Sequence, residues 1–415
     1  MARKMKDSGI EWIGEIPEGW EVGQIGQLYS ERRTKVSDKD YPPLSVTMKG
    51  ILPQLSTAAK TDAHDDRKLV CKGDFAINSR SDRRGSCGIS EQDGSISLIN
   101  TVLQPRGEMN PGYYNWLFHT SMFADEFYKW GHGIVDDLWT TGWSDMKKIG
   151  VPVPSKCEQK QLAEHLNFEC SHIDSILSKT RASIEEYKKL KQSVITQAVT
   201  KGVRGEREMK DSGVEWIGEI PVDWTIQRFA RVAEVKSNLV SPDNYLEYPQ
   251  ISPENIEKDS GKLLLPCKTV GEVGIISGNH LFYKGQILYS KIRPKLNKVC
   301  IAPFDGLCSA DMYPIETNND TRYIMYCILS NGFLQQVSMI TENRVKMPKI
   351  NQVELSKILV AMPCFLAEQK EIANYLDAKC AEIDKLIAKK EQLVKELESY
   401  KKSLIYEVVT GKREV

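Results

Sequence analysis

The sequence predicts an α+β protein built twice over. Two α/β bodies of one fold are expected, separated by two long antiparallel coiled-coil helices under a pseudo-two-fold internal repeat. Two observations lead there. The first is a heptad seam: Ala163, Leu166, Cys170, Ile173, Leu177, Ile184, Tyr187, Val194 and Ala198 recur at coiled-coil spacing, broken by Thr180 and Lys191. The same seam returns 210 residues on as Ala373, Leu376, Cys380, Ile383, Ile387, Val394, Leu397, Leu404 and Val408, with Lys390 opposite Thr180 and Lys401 opposite Lys191. The second is a tryptophan-rich word: MKDSGIEWIGEIPEGW at 5–20 returns as MKDSGVEWIGEIPVDW at 209–224. Two copies of one unit pack most simply about a two-fold axis, which sets their helices antiparallel.

Within 5–20, the turn-prone Asp-Ser-Gly and the apolar Trp12, Ile13, Ile16 and Trp20 predict a structural latch against neighbouring helix ends. The first body, roughly 21–153, reads as mixed α and β. Residues 69–78 give a strand, a turn at Lys72 and Gly73, and a second strand. A basic loop follows at 79–85 (SRSDRRG), then strand-like sequence through Ile89 and from Ile96 to Leu103. Residues 113–130 are amphipathic and aromatic, a predicted helix, and 131–142 form a loop. Ser155, three residues ahead of Glu158, caps the start of the first long helix. A polar, glycine-containing linker spans 201–209.

The second body, roughly 225–362, repeats the plan faintly. Residues 281–289 match the strand-turn-strand, and 290–298 (SKIRPKLNK) match the basic loop. Asp305 and Gly306 fall opposite Asp93 and Gly94, 323–337 opposite the aromatic helix, and 341–349 (TENRVKMPK) opposite the loop after it. The second long helix lacks the serine cap, with Phe365 standing where Ser155 does. Leu162, Ile176 and Leu190, with Ile372, Leu386 and Tyr400, widen the apolar face beyond what a two-helix coil buries. Packing against the bodies or against partner helices is expected there. Some 40 helical residues make a rod of about 60 Å.

Composition fits a globular, cytoplasmic protein. Hydrophobic residues make up 41% and charged residues 27% of the 415, and no apolar run approaches the ~20 residues that span a bilayer. MARKMKDSG lacks a signal-peptide core. The ten cysteines show no CxxC pair or metal-ligand spacing, which suits a reducing compartment. Basic and acidic residues balance at 56 each, so any polyanion would be met by local patches.

No active-site signature appears. There is no Walker-type GxxxxGK, and the Gly-Lys near the end of the chain has no upstream glycine loop. Glu164-His165 is not followed by the second histidine of HExxH. Neither the Asn/Asp-Pro-Pro-Tyr/Phe word of amino-methyltransferases nor a convincing nuclease core occurs, and Glu234-Val-Lys236 is an isolated ExK. A binding protein is favoured.

The basic loops are the positive signal. Lys284, Lys291, Arg293, Lys295 and Lys298 form a run of five cations with no acid between them, as phosphate and guanine contacts require. The matching loop of the first body carries Arg80, Arg83 and Arg84 around Asp82. One place, basic in both bodies but different in detail, suits two heads reading different DNA sequences. Arg344, Lys346 and Lys349 are second-tier candidates, as are Lys49 and His132; Trp139 and Trp143 are expected in the core.

The duplicated KDSGxEWIGEIPxxW word, the Glu-Gln-Lys helix openings (158–160, 368–370), the helix endings VTKG and VVTGK and the two divergent bodies resemble the DNA-specificity subunits of type I restriction-modification systems across the whole chain. The resemblance implies a first target-recognition domain at 1–154, a central spacer helix at 155–205, a second target-recognition domain at 206–364 and a C-terminal spacer helix at 365–415. It implies a non-catalytic adaptor on double-stranded DNA, holding two methyltransferase subunits and joined by translocase-nuclease subunits. The adaptor itself would need no cofactor, its partners using S-adenosylmethionine, ATP and magnesium. Two alternatives stand beside it: a self-contained nuclease or methyltransferase with an unrecognised site, and a coiled-coil scaffold with protein-binding heads.

Overall fold

The computed structural model describes residues 3–54, 65–107, 109–133, 139–344 and 346–415. They fall into two compact units, one of residues 1–180 with 392–415, the other of residues 181–391. Each unit holds one body, half of the central helix Lys156–Lys201 and half of the C-terminal helix Leu366–Val409.

In the first unit the strands Cys87–Ile89, Phe75–Asn78, Asn100–Pro105 and Tyr29–Glu31 form an antiparallel sheet in that order, and Gly94–Ile96, Arg67–Val70 and Lys35–Val36 form another. The second unit repeats the first of these with Val299–Ile301, Ile287–Ser290, Met312–Glu316 and Glu234–Val235. The strands flanking Lys72-Gly73 and Lys284-Gly285 form, but each pair divides between two sheets and makes no hairpin. Side chains hold the corner open. Cys71 N donates to Asp74 Oδ2 at 2.8 Å, and in the second body Tyr283 N donates to Gln286 Oε1 at 2.8 Å.

The single aromatic helix expected over 113–130 is two helices, Pro111–Phe118 and Ser121–Lys129. Thr120 makes the break: its hydroxyl donates to Leu117 O and accepts from Phe123 N, capping a new helix. Ser330 does the same between Thr321–Leu329 and Asn331–Thr341. A hydroxyl cap inside a continuous amphipathic pattern is easily read through. The bend lets Phe118 and Phe123 meet at 4.5 Å between centroids in the first core, with Trp20, Tyr29, Phe75 and Tyr113 also buried there.

The tryptophan word is the latch that its pattern predicts, and it grips two helix ends at once. In the first unit Trp20 Nε1 donates to Glu158 Oε1 at 3.2 Å, and Arg3 pairs with the same carboxylate while lying 5.4 Å over the indole. Burial alone would raise the Glu158 pKa, but the hydrogen bonds from Trp20, Arg3 and Ser155 outweigh it and hold it below the ordinary range. The word also receives the end of the C-terminal helix: Tyr406 and Lys412 donate to Ile13 O at 3.2 and 2.9 Å. In the second unit Trp224 and Arg207 donate to Glu368 Oε1 at 3.2 and 2.6 Å. The same indole packs at Gly202, past the end of the central helix. Start of one helix and end of the other are thus clasped together in each unit.

Those helix starts differ locally. Ser155 and Glu158 form the expected reciprocal cap. Phe365 offers only its backbone oxygen, to Glu368 N at 3.1 Å, and its ring is exposed. The second start therefore relies on the clasp around Glu368.

The helices run antiparallel. In the first unit Ala163, Leu166, Cys170, Ile173 and Leu177 are buried with Leu404 and Val408, while Val394 and Leu397 are half-buried. In the second, Ile184 and Ala198 are buried with Ala373, Leu376, Cys380 and Ile383, while Tyr187, Val194 and Ile387 are half-buried. The lysine breaks find partners. Lys191, 6% exposed, donates to both oxygens of Asp384 at 2.9 and 3.0 Å, and Lys262 of the second body adds a contact at 2.7 Å. In the first unit Lys401 meets Asp174 at 2.6 Å. Of the face-widening residues, Leu162 and Ile372 pack into the body cores, Ile176 is half-buried, and Leu190, Leu386 and Tyr400 remain exposed.

Two predictions follow from these contacts. A Cβ at Gly411 would meet Pro17 Cγ at 2.5 Å and Trp20 Cη2 at 2.9 Å, whereas one at Gly9 meets nothing, although both have a φ of +71°. Both alanine variants should lose roughly 1–2 kcal/mol to left-handed strain. Gly411→Ala should lose about 1–3 kcal/mol more to overpacking, read as a lower denaturation midpoint. Asp384→Asn should destabilise by about 3–5 kcal/mol by stranding Lys191, and Asp384→Leu with Lys191→Met should be milder. Burial would raise the Asp384 pKa, but hydrogen bonds from Lys262 and Lys191 lower it. Its contribution should therefore be present above the ordinary aspartate pKa (about 3.9) and fade as pH falls through the lowered folded value, an acid-side loss absent from Asp384→Asn.

Candidate nucleic-acid interface

Each basic loop leaves a central strand and is sewn by its backbone to the segment that follows the helix pair. In the first body Thr141 N donates to Ser79 O at 2.9 Å and Ser81 N to Trp139 O at 3.0 Å, around a bridge between Arg80 and Thr140. In the second, Ile350 N donates to Lys291 O at 2.9 Å and Arg293 N to Pro348 O at 2.8 Å, around a bridge between Ile292 and Lys349. The stitches match one for one. A third segment joins at the loop base, where Ser79 N donates to Ile99 O at 3.3 Å and Lys291 N to Asp311 O at 3.0 Å. Loop and strap are thus a single preformed surface in each body, carried on a rigid sheet.

The predicted residues occupy this surface unequally. In the first body the helical turn Ser81–Arg83 lifts Arg83, whose side chain is 69% exposed. Asp82 lies 3.7 Å from Arg80 and 3.8 Å from Arg83, and Arg84 is held by Asp125 and by the Tyr128 ring. In the second body Arg293 and Lys295 are exposed, with no acidic partner among the described residues. Arg293, Asn297 and Met347 all have positive φ, at 44°, 45° and 49°, so three of the four described non-glycine residues in that region belong to this loop and strap. Strain of this kind persists only where the surroundings enforce it: Asn297, 1% exposed, donates to Leu329 O at 3.2 Å.

Other candidates act from beneath or stand apart. Lys291 lies 5.3 Å over the Tyr313 ring, and Lys298 donates to Pro253 O at 2.7 Å. Lys349 pairs with Asp311 at 3.1 Å. Arg344 clamps the strap by donating to Lys349 O and to both oxygens of Glu354, whose pKa its hydrogen bonds hold down. Lys346 is exposed on the strap. Lys284 sits in the turn at the opposite end of strand Ile287–Ser290, so the run of five cations does not form one patch. Lys49 is exposed on a separate hairpin turn, and His132 pairs its backbone with Thr140, its ring 3.6 Å from Asp145.

Trp143 packs against the core as expected, but Trp139 does not: it is 36% exposed beside Ser81, because the strap is pinned to the loop at the surface. Residues 96–103 do not make one strand either. A turn closed by Asn100 N to Ser97 O separates Gly94–Ile96 from Asn100–Pro105 and leaves Leu98 and Ile99 exposed. His280 was not singled out by the sequence. It is 7% exposed, and burial, reinforced by the charge of Lys291, lowers its pKa and keeps the ring neutral near pH 7. Residues 134–138 and Val345, within the two strap segments, lie outside the described residues. Among the described residues no group of three or more His, Cys, Asp or Glu could hold a metal ion, and no helix is long and apolar enough to cross a membrane.

Residues 221–396 match the type I restriction modification DNA specificity domain. The EcoDI specificity subunit of Escherichia coli is 37% identical over 255 residues, covering 58% of this chain and 57% of that one, so this match spans little more than half of the relative. The MjaVIII specificity subunit of Methanocaldococcus jannaschii is 24% identical over 433 aligned positions, covering 96% of this chain and 93% of that one. Two solved structures share the fold. A chain from a study of complex assembly and conformational transition of the type I R-M system superposes with a TM-score of 0.70 at 11% identity, over 95% of this chain and 98% of that one. The HsdS subunit from Thermoanaerobacter tengcongensis does so with a TM-score of 0.51 at 14% identity, over 96% and 98%. The chain thus carries a match to the type I restriction modification DNA specificity domain over residues 221–396 and is similar to type I specificity subunits over nearly its whole length.

Proposed function

We propose that the chain reads a split, asymmetric site on double-stranded DNA, one half-site per body, and directs adenine methylation and restriction performed by partner subunits. One observation carries the reading: the loop-and-strap surface has the same backbone stitches in both bodies, yet different side chains at nearly every exposed position. A surface kept in geometry and varied in chemistry suits two heads of separate specificity. Arg83 and Arg293 stand out as the exposed planar donors able to grip a guanine edge or a phosphate. Lys295 and Lys346 add phosphate attraction, which positions the duplex without reading it.

The chain's own role is to bind and orient. Two methyltransferase subunits would seat on the exposed apolar positions of the long helices, Leu190 and Leu386 in one unit and Leu393 and Tyr400 in the other. Translocase-nuclease subunits would complete the restriction complex. S-adenosylmethionine, ATP and magnesium would belong to those partners, and the complex would work on DNA in the cytoplasm. Mapping methylated adenines at base resolution, with the chain and its methyltransferase partner co-expressed, tests the reading: a two-part asymmetric motif is expected, and methylation without sequence preference would refute it.

Variants separate the parts. Arg293→Ala should weaken or relax one half of the motif by about 1–3 kcal/mol where it grips a guanine, and Arg83→Ala should act only on the other half. Equal effects on both halves would refute the division. Arg344→Ala should blur the same half as Arg293→Ala by releasing the strap. It should also lower the melting temperature while leaving the salt dependence of binding unchanged, whereas Lys295→Ala should flatten the salt slope by about one.

A further inference from the structure

The first body exposes three large apolar side chains where its basic loop is sewn down. Trp139, Leu98 and Ile99 are 36%, 38% and 41% exposed. Single exposed apolar residues are ordinary, but these stand on the two segments stitched to residues 79–81. Leu98 and Ile99 belong to an apolar run that would bury most simply as strand, yet a turn turns them out. Their counterparts in the second body, by the matching stitches, are Pro348, Ala310 and Asp311. Asp311 takes the place of Ile99 at the loop base, and its carboxylate pairs with Lys349, which takes the place of Thr140 in the strap. The cluster of three is thus particular to the first body, the second strap exposing only Met347 among large apolar side chains at its described positions, and Arg80, Arg83 and Arg84 lie on the adjoining loop.

Cations beside an apolar group fit duplex DNA in one way above others. The major groove displays a single apolar substituent, the thymine 5-methyl, amid hydrogen-bonding groups and flanked by phosphates. Resting on the reading of this surface as a DNA-recognition head, we propose that Trp139, with Ile99 and Leu98, contacts thymine methyl groups of the first half-site while the neighbouring arginines hold its phosphates. The first head then tells thymine from cytosine by an apolar contact, where the second carries the Asp311–Lys349 pair in place of Ile99 and Thr140. Trp139 is in this sense a specificity-determining residue.

The test uses the full chain assembled with its methyltransferase partner. Affinity is measured for the mapped duplex and for duplexes in which thymines of the first half-site are replaced one at a time by deoxyuridine, which lacks only the methyl. The wild-type complex should lose roughly fourfold at each contacted position. Trp139→Ala should bind the thymine duplex more weakly and lose most of its preference for thymine over deoxyuridine. Its unchanged preferences at the second half-site show that it is folded, and Trp139→Phe should retain part of the discrimination. A wild-type complex indifferent to every such replacement, or a Trp139→Ala complex as sensitive as wild type, would overturn the proposal while leaving DNA recognition intact. A wild-type complex with no sequence preference would overturn the recognition reading, and this proposal with it.

Discussion

A glutamate at the start of each long helix, half-buried at Glu158 and buried at Glu368, is the contact on which the rest depends. Glu158 and Glu368 each accept a bond from the tryptophan that ends the repeated word and from an arginine stacked on that ring. The same word holds the far end of the other helix, so one short segment brings two helix termini together in each unit. Unpaired helix ends would leave backbone groups unsatisfied, and an unpaired buried carboxylate would be costly. The duplication of this clasp, more than heptad packing, accounts for a word repeated at thirteen of sixteen positions in a chain whose bodies have diverged.

The coil between the clasps is weaker than its seam suggests. Burial is complete where the helices meet a body and only partial at Tyr187, Val194, Ile387, Val394 and Leu397. Register there is set by charge: Lys191 on Asp384 in one unit and Lys401 on Asp174 in the other. Such pairs add little net stability but disfavour slipped alternatives, the use best attested for polar groups in a coiled coil.

Much of this was legible in the sequence because it is repeated or periodic. Seam, word and loop positions are marked by recurrence, the linker by its polar, glycine-containing composition, and Ser155 with Glu158 by cap spacing. What escaped depends on contacts distant in sequence. Thr120 and Ser330 break a helix that reads as continuous, because a hydroxyl cap resembles any polar residue on an amphipathic face. The run of cations from Lys284 to Lys298 looked contiguous, but one strand carries its first member away from the others. Trp139 read as core because tryptophan usually is, and only the stitch to Ser81 brings it to the surface. The failures at Trp139, Leu98 and Ile99 gather at the candidate interface, where the backbone stitches hold apolar side chains out of the core.

The division of the chain between units also has a consequence for biosynthesis. The second unit is drawn from one unbroken stretch, 181–391, so its parts leave the ribosome consecutively. The first needs residues 392–415 to meet a body whose last strand ends at Val153. At translation speeds of about 5–20 residues per second, the earlier body waits some ten seconds or more with the site for Leu404, Val408 and Val409 uncovered. The head made first is therefore the one completed last, and during that interval its open apolar site is where a chaperone, or the wrong helix, would bind.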